Sequence, residues 1–142
     1  LRDPEWLAQR PQYYWLGQWS YLNQLSKRIG PGTPRSFRFD VALPKRTLEG
    51  STRLRIHTEE PLDDAELAVR FNGIELTPIS DTSAFLANPY DRMLSDAPRR
   101  RAWLLPLSLL RHGLNEVKVA LTTGDRPIKA TWIDFAVPVD LP

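Results

Sequence analysis

The sequence predicts an antiparallel β-sandwich or jelly roll, preceded by a short helical segment. Its 142 residues are 42% hydrophobic and 25% charged, which is typical of one globular domain with a sizeable core. Several short stretches alternate apolar and polar residues with a period of two, as strands with one face on a core do. Thirteen prolines favour turns and strand edges over long helices.

The start of the chain has helical spacing. Trp15, Trp19 and Leu22 recur at i, i+4 and i+7, and this places them on one face of a helix. Pro11 suits a first helical turn, and Gly30 suits a helix end. We therefore expect an apolar helix before the first strand of the sandwich.

The predicted boundaries are 1–32 for this lead-in and 33–142 for the sandwich. The lead-in holds more aromatic residues than a lone arm would leave in water, so we expect them to pack on the sandwich or on a neighbouring domain of a longer protein. These aromatic residues are Trp6, Tyr13, Tyr14, Trp15, Trp19 and Tyr21.

Strands are predicted wherever the alternation is clear. Asn72-Gly73 predicts a tight turn between two of them, because both residue types accept a positive φ. His57 falls on the polar side of its strand. Later strands are expected at about 102–107, 116–122 and 130–137. The inward-facing residues are expected to be Phe37, Phe39, Val41, Leu43, Leu54, Ile56, Leu67, Val69 and Phe71.

The stretch LPLSLLRHGLNEVKVAL, residues 105–121, predicts a strand, a short turn and a second strand. In the turn, Gly113 permits a left-handed conformation and Asn115 can bond its neighbouring backbone. We expect His112 to interact with nearby carbonyl groups. Backbone geometry explains each of these residues, so the stretch predicts a fold and no site.

Three segments together resemble the galactose-binding-like jelly-roll superfamily over roughly residues 35–140. They read AELAVRFNGIEL, WLLPLSLLRHGLNEVKVAL and ATWIDFAV. Modules of this superfamily accompany many glycoside hydrolases, including β-galactosidase-type enzymes, so the resemblance implies an accessory role.

The resemblance also implies a possible structural calcium ion, since several such modules hold one with oxygen ligands and with an Asp in the last strand. Asp134 matches that position, and Asp63, Asp64 and Glu66 offer further oxygens near a strand start. No other cofactor is expected.

A glycan site is predicted in the long irregular stretch 77–101. Asn88 and Arg92 can bond sugar hydroxyls while Tyr90 stacks on a ring, with Phe85 beside it. The alternative is that Phe85 and Tyr90 plug the open end of the sandwich.

Trp132 is expected to point out of the sandwich together with Asp134 and Ala136, because their neighbours in the last strand face the core. An outward Trp is either a ligand platform or a packing site. We expect the helix of Trp15 and Trp19 to cover this face of the sheet and bury Trp132.

Composition argues against several function classes. A net charge of +2, with a single short run of basic residues at 99–101, does not favour a nucleic-acid partner. No apolar run approaches membrane-spanning length, so no membrane partner is expected. The lack of cysteine excludes disulfides and thiolate metal sites, and neither histidine lies in a metal-binding cluster.

These observations predict a non-catalytic carbohydrate-binding or accessory module. We expect it to be the C-terminal part of a larger carbohydrate-active protein that is extracellular or periplasmic. One alternative is a purely structural or protein-interaction domain that supports a catalytic domain. A second alternative is a small glycoside hydrolase, whose carboxylate pair would come from Asp40, Asp81, Asp91 and Asp134.

Overall fold

The computed structural model describes residues 11–17, 24–45, 47–80 and 97–138. These residues form ten strands in two antiparallel sheets, and the sheets enclose one core as a β-sandwich. The predicted fold class is therefore confirmed. In the part of the chain described, the helical turns are short 3₁₀ turns, and no helix is long and apolar enough to cross a membrane.

One sheet has six strands, all paired antiparallel. Its order is β1-β10-β4-β8-β7, and β2 pairs with the same side of β10 as β1 does. The bounds are β1 Pro11–Leu16, β2 Lys27–Ile29, β4 Ser51–Thr58, β7 Thr77–Ile79, β8 Arg100–Pro106 and β10 Ile128–Pro138.

The other sheet has four strands in the order β3-β9-β5-β6. Its outer face carries mostly exposed polar residues, as the alternation predicts for a solvated face. The bounds are β3 Arg35–Val41, β5 Glu66–Phe71, β6 Ile74–Glu75 and β9 Gly113–Thr123.

The predicted helix at the start of the chain is wrong where the structure describes it. Residues 11–16 form strand β1, and residues 27–29 form strand β2, both paired with β10. Within β1 the inward residue Leu16 is 1% exposed while its neighbour Trp15 is 39% exposed, which is strand alternation. Trp19 and Leu22 lie outside the described residues.

The core joins both sheets through aromatic side chains. Phe135 of β10 contacts Phe39 and Phe71 of the opposite sheet edge-on, at ring distances of 4.9 and 5.8 Å. Tyr14 of β1 stacks on the same ring at 5.5 Å. Eight of the nine residues predicted to face inward are buried as expected, and the ninth, Leu43, is half-buried.

The two predicted turns are present. Asn72 and Gly73 connect β5 to β6 with φ values of 50° and 86°. The Asn115 side chain bonds the backbone of Arg111 and Gly113, as expected, and also accepts a bond from the Asn72 amide. His112 differs from expectation, since its Nδ1 accepts a bond from the Leu43 backbone N–H at 3.1 Å.

Candidate functional site

The outer face of the six-stranded sheet is unlike a solvated sheet face. At its centre Arg55, His57, Asp134 and Ala136 are each at most 5% exposed. The prediction that His57 and Asp134 point away from the core holds, since each belongs to the outward set of its strand. His57 is expected only on the polar side of its strand, and it is buried there, as is Asp134.

A charged pair lies in the middle of that face. Asp134 of β10 is directly opposite Arg55 of β4 in the strand register. Arg55 Nε and Nη2 donate to the two carboxylate oxygens of Asp134 at 3.2 and 3.1 Å. The two side chains are 2% and 3% exposed. A bidentate, buried pair of this kind fixes the orientation of both side chains.

The same carboxylate positions a tryptophan. Trp132 Nε1 donates to Asp134 Oδ2 at 2.9 Å, which holds the indole against the sheet. Trp15 of β1 then stacks on Trp132 with ring centroids 4.8 Å apart and planes 5° from parallel. Trp15 therefore packs on Trp132 as expected, but a strand and not the predicted helix carries Trp15, and Trp132 is half-buried and not fully buried.

Gly17 completes this arrangement. A Cβ atom at this position would lie 2.7 Å from Cε3 and 2.9 Å from Cζ3 of Trp132. Both distances are shorter than any real Cβ contact, so the Trp132 ring occupies the space that a side chain at residue 17 would need. In the local sequence, Trp15 thus stacks on Trp132, Leu16 packs in the core, and Gly17 leaves room for the Trp132 ring.

A depression of about 330 Å³ lies next to strand β1, and Trp15 is one of its lining residues. It runs between the edge strands of the two sheets, β1 and β3. Tyr14 connects β1 to the chain that follows β3, because its hydroxyl donates to the Ala42 carbonyl at 3.3 Å and accepts from the Ala42 N–H at 3.0 Å. The lining residues are Tyr13, Tyr14, Trp15, Leu16, Phe39 and Asp40.

Aromatic residues and one carboxylate residue are among those that line this depression. Trp15 keeps 39% of its surface exposed although one ring face is covered by Trp132. Asp40 is exposed and contributes carboxylate oxygens, which accept hydrogen bonds.

A second cleft, of about 540 Å³, lies at the loop end of the sandwich. It is formed by the β4–β5 connection, the β9–β10 hairpin and Arg28. Charged residues of both signs line it, including Asp63, Asp125 and Arg126, and no aromatic ring is among its described lining residues. It can hold a polar ligand, but it offers no platform for stacking.

The predicted glycan residues Phe85, Asn88, Tyr90 and Arg92 lie outside the described residues, so that site stays a prediction. The calcium at Asp134 also stays a prediction. Both oxygens of Asp134 accept bonds from Arg55 and Trp132, and the described residues contain no group of three His, Cys, Asp or Glu that would hold a metal ion. The oxygen donors that calcium needs are thus not assembled there among these residues.

The sequence reasoning missed Asp40 and Tyr13 as neighbours of Trp15. Asp40 entered only as one of four carboxylates for hydrolysis, and Tyr13 only as part of an aromatic lead-in. No signal in the sequence places Asp40 near β1, because the two strands that carry these residues belong to different sheets.

No protein-family model and no curated protein matches this chain. Solved structures do resemble it. One is a β-porphyranase of glycoside hydrolase family 86 from the human gut bacterium Bacteroides plebeius, with a TM-score of 0.57 and 16% identity. Another is BuGH86 in complex with neoagarooctaose, with a TM-score of 0.55 and 15% identity.

Both likenesses cover 92% of this chain but only 21% and 19% of the solved chains. This chain therefore corresponds to about a fifth of each of those proteins. At such identities the likeness shows a shared fold.

Proposed function

We propose that this chain is a non-catalytic, carbohydrate-binding accessory module of a larger glycoside hydrolase. The observation that carries the proposal is the pattern of coverage: nearly the whole chain superposes on a small part of longer chains, one of them a β-porphyranase. A sandwich of this size that recurs inside a hydrolase is most simply an appended module. An extracellular or periplasmic location would follow, because polysaccharides are too large to enter a cell.

The described carboxylates support a non-catalytic role. Hydrolysis of a glycosidic bond uses two carboxyl groups that flank the bond within a cleft. Asp134, one of the four candidates, is buried and holds Arg55 and Trp132 with both oxygens, so it does not reach a substrate. Asp40 is exposed on the other sheet, and the remaining candidates, Asp81 and Asp91, lie outside the described residues.

Binding and cleavage by the purified chain test the proposal together. The chain is mixed with insoluble agarose and with porphyran, and neoagarooctaose is titrated by calorimetry. We expect depletion of the chain onto at least one galactan and no release of new reducing ends. Cleavage by the chain alone would show that it is an enzyme in its own right.

The second candidate function is a structural domain that supports a catalytic domain. The observation that favours it is the buried centre of the six-stranded sheet's outer face, which contrasts with the exposed polar face of the other sheet. A purified chain that binds no polysaccharide, but whose removal from the full-length protein lowers that protein's melting temperature, would favour this function.

The calcium ion at Asp134 remains a separate proposal. It is tested by the melting temperature of the chain in EDTA and in calcium chloride. A higher melting temperature in calcium would support the ion, because a ligand that binds only the folded state stabilises it.

A further inference from the structure

We propose that Asn72 is a site of covalent modification, and that its spontaneous deamidation releases the tip of the β5–β6 hairpin from the rest of the sandwich in one direction only. Asn72-Gly73 is the one Asn-Gly sequence in the chain. The Asn72 side chain connects the hairpin to β9 and to residues 107–112, the β8–β9 connection. Conversion of Asn72 to aspartate removes that link, and the only co-reactant is water.

Three hydrogen bonds hold the Asn72 side chain. Its Nδ2 donates to the Leu109 carbonyl and to Asn115 Oδ1, each at 2.9 Å. Its Oδ1 accepts from the Glu116 N–H, also at 2.9 Å. Asn115 is 1% exposed and exchanges two further bonds with the backbone of Arg111, so Asn72 is bonded to a group that is itself fixed.

Deamidation begins when the backbone nitrogen of Gly73 loses its proton and attacks Cγ of Asn72. A bond forms between that nitrogen and Cγ, the bond between Cγ and Nδ2 breaks, and Nδ2 takes a proton from water and leaves as ammonia. Water then opens the succinimide ring at either of its two carbonyl carbons, which gives aspartate or isoaspartate. The attack is easiest when glycine follows the asparagine, because glycine has no Cβ to crowd its nitrogen.

The closed hairpin slows this reaction. The three bonds restrain the rotation that brings Cγ of Asn72 to the Gly73 nitrogen, and the loss of ammonia breaks both bonds that Nδ2 donates. Gly73 is exposed, so water reaches the site without unfolding of the core. The reaction therefore proceeds from molecules in which the hairpin tip has opened locally, and its rate follows the fraction of open molecules.

The product does not return to the closed arrangement. In aspartate an oxygen replaces Nδ2 and faces two other acceptors, the Leu109 carbonyl and Asn115 Oδ1, so two hydrogen bonds are lost. Isoaspartate also lengthens the backbone by one carbon atom, which shifts the pairing of Phe71 with Ile74 across the hairpin. Each modification thus leaves the hairpin tip open.

The first test compares the reaction rate in the folded and the unfolded wild-type chain. The chain is incubated at mildly alkaline pH with and without concentrated guanidinium chloride, and peptide mass spectrometry follows conversion of Asn72. We expect conversion in both samples, at least about tenfold more slowly in the folded chain. Asn115, which is buried and followed by Glu116, should stay unmodified in the folded chain. Equal rates in the two samples, or a folded chain that stays unmodified at Asn72, would overturn the proposal.

The second test asks whether the hydrogen bonds of Asn72 set the rate. Asn115→Ala removes one acceptor of Nδ2 and should speed conversion of Asn72 by about fivefold or more, the change in the open fraction that corresponds to one hydrogen bond. Leu114→Ala is the matched control, because it truncates the neighbouring side chain, which is 54% exposed, and it should leave the rate unchanged. An unchanged rate in a folded Asn115→Ala chain would contradict the role given to these bonds.

The third measurement uses Asn72→Asp as a copy of the product, and it decides the matter if Asn115→Ala does not fold. Aspartate accepts the φ of 50° at this position as asparagine does, so a loss of stability reports the lost side-chain bonds. We expect the melting temperature to fall by about 5 °C. Asp63→Asn makes the reverse exchange at an exposed residue with the same φ of 50°, and it should change the melting temperature little. Equal melting temperatures of Asn72→Asp and the wild type would show that deamidation releases nothing.

Discussion

At the scale of single residues, Gly17 is the clearest case of a residue dictated by its neighbour. The Trp132 ring occupies the volume that a side chain at this position would fill, and the nearest ring atom is 2.7 Å from the ideal Cβ. We expect Gly17→Ala to displace Trp132 and lower the free energy of unfolding by about 1–3 kcal/mol, the usual cost of overpacking. Urea denaturation measures this loss, and the near-UV circular dichroism of the stacked indoles should weaken.

Gly30→Ala is the matched control for that variant. An added Cβ at residue 30 meets no atom closer than 3.9 Å, which is ordinary van der Waals contact. Its free energy of unfolding should change by less than about 0.5 kcal/mol. Equal effects of the two substitutions would mean that Trp132 does not occupy the space beside Gly17.

The Arg55–Asp134 pair is the second residue-scale prediction. Asp134→Asn keeps an acceptor for Trp132 but removes the carboxylate charge that faces the buried Arg55 guanidinium. We expect a loss of about 3 kcal/mol in the free energy of unfolding, measured by urea denaturation. The double variant Arg55→Met with Asp134→Asn should lose less than the two single variants combined, because it buries no uncompensated charge.

The exposed pair of Lys129 and Glu59 serves as its control. Their charged atoms are 3.8 Å apart and the side chains are 35% and 53% exposed. Lys129→Ala should change the free energy of unfolding by less than about 1 kcal/mol. A comparable loss in Asp134→Asn and Lys129→Ala would contradict the idea that burial makes the Arg55 pair special.

At the scale of elements, strand β1 belongs to the sandwich because it pairs with β10 along its whole length. Leu16 is buried in the core, whereas Gln12 of the same strand is exposed. Leu16→Ala should therefore cost about 2–5 kcal/mol of unfolding free energy, and Gln12→Ala less than about 0.5 kcal/mol. Chemical denaturation measures both, and a negligible effect of Leu16→Ala would mean that β1 does not pack on this core.

The same element shows where sequence reasoning reaches its limit. Trp15, Trp19 and Leu22 have the spacing of one helix face. In a strand, however, Tyr14 and Leu16 would point to one side and Trp15 to the other, and the structure shows this arrangement. So short a segment is compatible with both a helix and a strand, and its pairing with the distant strand β10 makes it a strand. By contrast, β3 and β5 were predictable because each has three apolar residues at a strict period of two, namely Phe37, Phe39 and Val41, and Leu67, Val69 and Phe71.

The candidate site was less predictable than the fold, because its parts come together only through strand register. That Trp132 and Asp134 point outward follows from the alternation of β10. The ion pair of Asp134 with Arg55 does not, since Arg55 and Trp15 lie opposite Asp134 on two separate strands. Asp40 likewise reaches the site only because β3 and β1 are the neighbouring edges of two different sheets.

At the scale of the whole molecule, the core links both sheets and both early strands. Phe135 contacts Tyr14 of β1 within its own sheet, and Phe39 and Phe71 across the sandwich. Ile29 of β2 is fully buried in the same core. The loss of either sheet would therefore expose the aromatic centre of the other, so we expect the sandwich to unfold as a single cooperative unit.

This expectation is tested by following urea unfolding with two probes. Tryptophan fluorescence reports on all five tryptophans, among them Trp15 and Trp132 of the outer face and Trp103 of the core, while far-UV circular dichroism reports on all the strands. The two midpoints should coincide, and Leu16→Ala should shift both by the same amount. An earlier fluorescence transition, accompanied by only a small part of the dichroism change, would mean that β1 and β2 unfold as a separate unit, and it would support a domain boundary between 1–32 and 33–142.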